Sequence, residues 1–258
     1  MENMYMCTVM SSDVAHLLQS VRNGTAAPPA QVPDSLIPRS IEEAYAIQDV
    51  VRRHLGPIAG WKVGSETPDS EPFCAPIHAA TVFSDGADIP AGLCRHRGVE
   101  AELVYRFDRA LPPRAEEWTR DEVLDAIGTI HPAIEILDSR FEKPGSQHRF
   151  LHTADQQSHG ALIVGHGVAQ WRQFTPVAQQ VILSINNQTV ADHAGGNSAG
   201  DPLRLLVWLA NHASRRKIGI SAGSVVTTGS TTGTIFVGHD TAVTARFPGI
   251  GSVHAHLS

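Results

Sequence analysis

Three glutamates carry the chemistry that this sequence offers most plainly. Glu100 and Glu102 stand in Gly98-Val99-Glu100-Ala101-Glu102-Leu103-Val104, and Glu135 stands in His131-Pro132-Ala133-Ile134-Glu135-Ile136-Leu137-Asp138. Both strings read as strands in which apolar residues bracket carboxylates. Alternate side chains of a strand share a face. Glu100 and Glu102 therefore project together, while Val99, Ala101 and Leu103 project the other way. Two carboxylates on one face repel unless a positive charge sits between them. A hard divalent cation, Mg²⁺ or Mn²⁺, is the natural candidate, because such ions take oxygen ligands. Glu135, set between Ile134 and Ile136, would be the third ligand, since a buried carboxylate without a partner is costly. Two other readings stay open on spacing alone. Glu100 and Glu102 could line a solvated strand face, and Asp138 with Arg140 could form a structural ion pair instead.

Lys62 is the second chemical candidate. It is the one charge in Ala59-Gly60-Trp61-Lys62-Val63-Gly64, a short apolar string between glycines. A lysine is ordinarily solvent-facing in a strand. Desolvation makes an ammonium release its proton more readily, and a lysine so placed can move protons near neutral pH.

These side chains must be held by a folded body, and the composition supplies one. The 258 residues are 42% hydrophobic and 18% charged, which argues against disorder and suffices for a substantial core. The net charge of −6 leaves no footprint for nucleic acid or an anionic membrane. No apolar run approaches membrane-spanning length. Cys7, Cys74 and Cys94 form neither a metal-ligand spacing nor an even disulfide set, which fits a reducing cytoplasm. The histidines are scattered, and His254 and His256 read as surface residues.

Along the chain, Ser12 to Asn23 reads as a first helix and Ser40-Ile41-Glu42-Glu43 as a capping box opening a second. Together they predict a helical N-terminal layer over about 1–58. Glu66 to Pro76 reads as a polar loop, and Phe141 to Phe150 as another. Thr119-Arg120-Asp121-Glu122 caps a helix between the two acidic strands. Val181 to Val190 reads as a hairpin, and Asp201-Pro202 opens a helix. Three further strands, Ser224 to Thr228, Thr241 to Phe247 and Ser252 to His256, close the chain. Many short strands with few helices predict a β-rich α+β fold, a single catalytic domain over 1–258 with its core at about 59–258. Neither the βαβα alternation nor the glycine fingerprint of a dinucleotide fold is present.

Seven segments stand in order: Gly60-Trp61-Lys62-Val63-Gly64, Val99-Glu100-Ala101-Glu102-Leu103, Pro132 to Arg140, Asp155-Gln156-Gln157-Ser158-His159-Gly160, Gly200-Asp201-Pro202-Leu203 with Trp208-Leu209-Ala210-Asn211, Val226-Thr227-Thr228-Gly229-Ser230, and Phe247 to Val253. Together they resemble the 2-keto-4-pentenoate hydratase family of the fumarylacetoacetate hydrolase-like fold. The resemblance implies a mixed β-sheet roll or barrel and a homo-oligomer. It implies Mg²⁺ or Mn²⁺ on Glu100, Glu102 and Glu135, chelated by the carboxylate and 2-oxygen of a small 2-oxo or 2-hydroxy dienoate. It places Lys62 beside that substrate and assigns hydroxyl contacts to Ser158 and Thr228. One departure stands out. Where such hydratases carry an acidic residue in an Asp-Phe/Tyr-Gly string, this chain has Ala75-Pro76-Ile77-His78, and His78 could take over the acid–base work. The implied reaction is hydration of a 2-hydroxypenta-2,4-dienoate-like substrate in aromatic catabolism. The alternatives are decarboxylation of 2-oxo-3-hexenedioate (4-oxalocrotonate), carbon–carbon bond hydrolysis of the fumarylacetoacetate type, and a non-catalytic 2-oxo acid-binding protein.

Overall fold

The computed structural model describes residues 13–258; Cys7 and the expected helix start at Ser12 lie outside them. The described part of the first helix, α1, covers 13–22. The second, α2, runs Ile41–Arg52, where Ser40 Oγ accepts the Glu43 N–H and so covers one orphan donor of the first turn. Strands β1 (Ile58–Gly64), β2 (Phe73–His78), β3 (Val82–Ser84), β4 (Ala87–Ile89) and β5 (Gly98–Phe107) follow. Then come α3 (Arg120–Asp125), β6 (Ile127–Leu137), α4 (Arg149–Ala154), β7 (His159–Val164), β8 (Gln180–Ile185) and β9 (Gln188–Ala194). The chain finishes with α5 (Leu203–Arg215), β10 (Val225–Ser230), β11 (Ile235–Phe236), β12 (Thr241–Phe247) and β13 (Gly251–Leu257).

The strands form two mixed sheets, which are the α+β architecture that the sequence predicts. One runs β2-β1-β10-β5-β6-β7-β3, with β11 added to β5, and the other runs β4-β13-β12-β8-β9. Neither closes on itself, so the expected roll or barrel is an open pair of sheets and not a closed barrel. The long central strand β5 is buried along nearly its whole length, and β6 is buried continuously over Pro132–Ile136. A strand covered on both sides reads as a near-continuous apolar run, and this makes their three glutamates conspicuous. The main core lies on these strands and includes Trp61, Tyr105, Phe107, Ile134, Ile136, Leu206 and Phe247.

A separate apolar cluster joins Val14, Leu18, Ile47 and Val51 to Phe141, Leu151 and Ala154. The N-terminal helices thus pack on α4 and its preceding loop, and so buttress the segment that leads into Gln156–His159. Two local expectations need correction. The polar loop after β1 ends earlier than Pro76, because Phe73–His78 pairs with β1 as β2. The loop from Phe141 also ends early, at α4, where His148 Nδ1 accepts the Phe150 N–H. The β8–β9 hairpin turns on Asn186 and Asn187, whose φ angles of 50° and 63° suit the mirror-image turn that matches strand twist.

Candidate active site

Strand register assembles the site. In the antiparallel β5–β6 pair, Glu100 stands directly opposite Glu135 and Glu102 opposite Ala133. Like charges placed opposite one another destabilise a sheet, so this register needs a cation. On the other side of β5 lies β10, and the parallel β1–β10 pair sets Lys62 beside Thr227. β1, β5 and β6 therefore present Lys62, Glu102, Glu100 and Glu135 to one cavity, and β10, between β1 and β5, sets Thr227 against Glu102. The three carboxylates offer one oxygen each within 4.8 Å of one another.

Glu135 is fully buried and uses only one of its oxygens. Its Oε1 lies 2.7 Å from Lys62 Nζ and 2.9 Å from His159 Nδ1. Its Oε2 is buried with no hydrogen-bond partner among the described residues. A buried carboxylate oxygen left unsatisfied calls for an explanation, and a cation between the three acids supplies one. The Thr227 hydroxyl donates to Glu102 Oε2, and the Thr234 hydroxyl donates to Glu100 Oε1. These bonds fix the carboxylate rotamers. An all-oxygen, three-carboxylate donor set fits a hard divalent cation.

The electrostatics agree. Burial, followed by the charge of Glu135, raises the Glu100 carboxyl above its ordinary value; burial, then Glu135 and Glu100, raises Glu102 well above it. Burial pushes Glu135 up as well, but the Lys62 charge and the His159 hydrogen bond outweigh it and hold Glu135 well below the usual carboxylate range. Burial lowers His159 to about 4 in spite of Glu135. The imidazole is therefore neutral at pH 7, and its Nδ1–H donates to Glu135.

Lys62 Nζ also donates to the Gln157 carbonyl at 3.0 Å. That carbonyl belongs to an unusual stretch: Gln156, Gln157 and Ser158 have φ angles of 52°, 54° and 57°. Left-handed backbone is costly for side-chain-bearing residues and gathers at functional sites. It is held by the Arg140–Asp155 ion pair just upstream, in which Arg140 also bonds the Asp155 and His159 carbonyls. The open alternative for Asp138 is resolved accordingly: Arg140 pairs chiefly with Asp155, and Asp138 Oδ1 accepts the Arg95 and His96 backbone N–H groups.

The cavity above the carboxylates has a volume of about 430 Å³. Lys62, Glu100, Glu102, Glu135 and Ser158 all line it. Thr228 does not; its hydroxyl reaches only the Leu103 carbonyl at 3.4 Å, and its neighbours Gly229 and Ser230 line the cavity instead. His78 is not brought there either. It ends β2 on another cavity, with Nδ1 3.0 Å from the Gly56 carbonyl and Nε2 3.1 Å from Gln156 Nε2. The histidine that does face the carboxylate cavity is His152 of α4, lowered to about 4 by burial and by the Lys62 charge. Sequence reasoning missed His152, His159, Thr227 and Thr234. Of these, Thr227 stands within the Val226-Thr227-Thr228-Gly229-Ser230 string, one residue from Thr228.

Residues 47–258 match the fumarylacetoacetate (FAA) hydrolase C-terminal family. Over 253 residues the chain is 28% identical to the 2-keto-4-pentenoate hydratase of Paraburkholderia xenovorans (strain LB400), spanning 93% of this chain and 92% of that protein. Over 226 residues it is 30% identical to a 4-oxalocrotonate decarboxylase of Pseudomonas putida, spanning 83% and 84%. In three dimensions it shares its fold with the 4-oxalocrotonate decarboxylase from Pseudomonas putida G7 complexed with magnesium and adipate, at a TM-score of 0.84, 23% identity, and coverage of 97% and 98%. With a match that spans most of its length, and with carboxylates and lysine converging as its ordered motifs imply, the chain belongs to the fumarylacetoacetate hydrolase family.

Proposed function

We propose that this chain is a divalent-metal-dependent hydratase, adding water to a 2-hydroxypenta-2,4-dienoate-like monocarboxylate to give a 4-hydroxy-2-oxo acid in aromatic catabolism. One observation carries the choice of substrate: among the described residues lining the carboxylate cavity, Lys62 is the only lysine or arginine, and Glu135 already pairs with it. The walls farther out include Phe73, Leu137, Pro144 and Phe236. A dicarboxylate such as 4-oxalocrotonate would find no second cationic side chain for its far carboxylate among the described lining residues, which is costly. A short unsaturated tail fits that wall.

Glu100, Glu102 and Glu135 would hold Mg²⁺ or Mn²⁺, which when bound supplies Lewis-acid stabilisation of negative charge on the substrate's 2-oxygen. Lys62 is held by Glu135 and the Gln157 carbonyl beside the cavity. From there its ammonium delivers and recovers the proton that converts dienol to enone. Ser158 contributes a hydroxyl to the substrate carboxylate. His152 is neutral and faces the same space, so it takes the water-orienting part that the sequence had assigned to His78. Phe73 and Phe236 give the conjugated carbons apolar surface to lie against. Homo-oligomerisation and a cytoplasmic location complete this reading; they rest on the family likeness and on the cysteine usage.

The test uses Glu135→Gln, a near-isosteric change. Wild-type protein with Mg²⁺ or Mn²⁺ should consume the dienoate absorbance without releasing CO₂. Glu135→Gln should lose turnover and the calorimetric heat of metal binding while keeping its circular dichroism. Full activity in the variant would remove the metal-site reading, and CO₂ release by the wild type would replace hydration with decarboxylation.

A further inference from the structure

A second cavity, of about 710 Å³, lies on the far side of the Glu135–His159–Thr81 contact chain from the carboxylates. Its chemistry is the reverse of the first. Arg22, Arg95, Arg97 and Arg140 line it, and Asp138 is its only carboxylate among the described residues. Arg140 is already neutralised by Asp155 and Asp138. The other three have no carboxylate within ion-pairing distance among the described residues. Arg22 donates only to Gln156 Oε1, at 2.8 Å. Arg95 donates to the Ser139 carbonyl at 2.6 Å. Arg97 bonds the Ala91 carbonyl and approaches His239 Nδ1 at 2.9 Å. The molecule as a whole is acidic, so this concentration of positive charge is local.

Two further features indicate a built site. Arg97 is 7% exposed and adopts a φ of 51°, a left-handed backbone that an arginine does not favour. Its guanidinium is buried and lines this cavity. Burial, and then the nearby Arg140, lowers Arg22 to about 9, far from the ordinary guanidinium value. Arg22 is half-buried at the cavity wall with no carboxylate partner among the described residues, and an anion in the cavity would pair it. The guanidinium groups come from two separate segments, the end of α1 and the loop before β5, with Leu55 and Leu93 on the same cavity wall. Forked guanidinium donors match carboxylates bidentately.

We propose that this cavity is a second ligand site that takes a small aliphatic dicarboxylate, one carboxylate on Arg22 and the other on the Arg95–Arg97 pair. The site is independent of the metal and of the reaction proposed above.

Calorimetric titration of the full, metal-free chain with succinate tests it, with acetate and inorganic phosphate as comparison probes. Succinate should bind saturably at one per chain, with acetate and phosphate at least about tenfold weaker. Arg22→Gln and Arg97→Gln should each weaken succinate about tenfold or more, the loss of one charge-assisted pair. Arg22→Lys keeps the charge without the fork and should fall between; it serves where Arg97→Gln fails to fold by circular dichroism. Glu102→Gln should leave succinate binding unchanged. No saturable binding, phosphate equal to succinate, unchanged affinity in the folded arginine variants, or loss in Glu102→Gln would each overturn the proposal.

Discussion

At the scale of single residues, the division of labour within Glu135 is the central fact. One oxygen is claimed by Lys62 and His159, and the other has no partner among the described residues. Lys62 thus holds the carboxylate in its ionised form while leaving its second oxygen unclaimed among the described residues. Replacing Lys62 with Met separates proton transfer from metal binding. We expect kcat to fall about 10²–10⁴-fold, the usual range for a lost acid–base group, while calorimetry still shows binding of Mn²⁺. Loss of both together would mean that Lys62 acts only by holding Glu135. The three carboxylates and Lys62 were legible in the sequence because a charge in a buried strand is rare enough to stand out. The histidines were not. His78, His152 and His159 carry no periodic signal, and which cavity each one faces is decided by packing of α4 and β2 on β1 and β7, which no spacing reveals. Thr228 lies off the cavity lining for a related reason: the register shifts between Thr227 and Ser230, and Gly229 and Ser230 line the cavity.

At the scale of elements, the site depends on how closely β1 approaches β10. Gly60 stands opposite Val225, and a Cβ there would come within 2.1 Å of the Val225 carbonyl oxygen. That atom belongs to the backbone and cannot rotate away. Gly60→Ala should therefore push the two strands apart, at a cost of about 3 kcal/mol, the upper part of the range for overpacking. It should also displace Lys62 from Thr227, two residues on. The check is a lower urea midpoint together with reduced turnover. A variant as stable as wild type would show that the parallel pair is not what positions Lys62. The strands themselves were largely legible, since apolar runs punctuated by Gly, Pro and Asn mark them. The element that was misread, β2, contains Pro76 and follows a polar stretch, both of which argue against a strand. It survives because it is the edge of its sheet, where a missing N–H costs nothing. The open end of each sheet was likewise invisible: closure depends on whether end strands meet, and nothing in local sequence encodes that.

At the scale of the whole molecule, the carboxylate cluster is a stability cost that a bound cation offsets. Glu102 is buried beside two other acids, and its carboxyl is raised well above the ordinary value, first by burial. Between the unfolded value and the raised native one, the native state keeps a proton that the unfolded state has released. Stability of the metal-free protein therefore falls as pH rises through that window, and the full penalty is present above it. His152 and His212, both lowered to about 4 by burial, act in the opposite sense, since their stability is lost as pH falls from about 6.5 toward 4. The two contributions overlap, so the pH profile of the wild type alone does not separate them. The difference between wild type and Glu102→Gln does, because the histidines are common to both. Metal-free Glu102→Gln should be the more stable at pH 7 by about 1–2 kcal/mol, toward the low end of what removing a buried charge returns. For a chain of this length each kcal/mol corresponds to roughly 2–4 °C in Tm. The gap should shrink as pH falls toward 5. Mn²⁺ should then reverse the order, raising the Tm of the wild type by binding only its native state and leaving the variant nearly unmoved. A metal-free variant less stable than wild type at pH 7 would mean that the three acids are not in electrostatic conflict, and the argument for a cation among them would lose its physical basis.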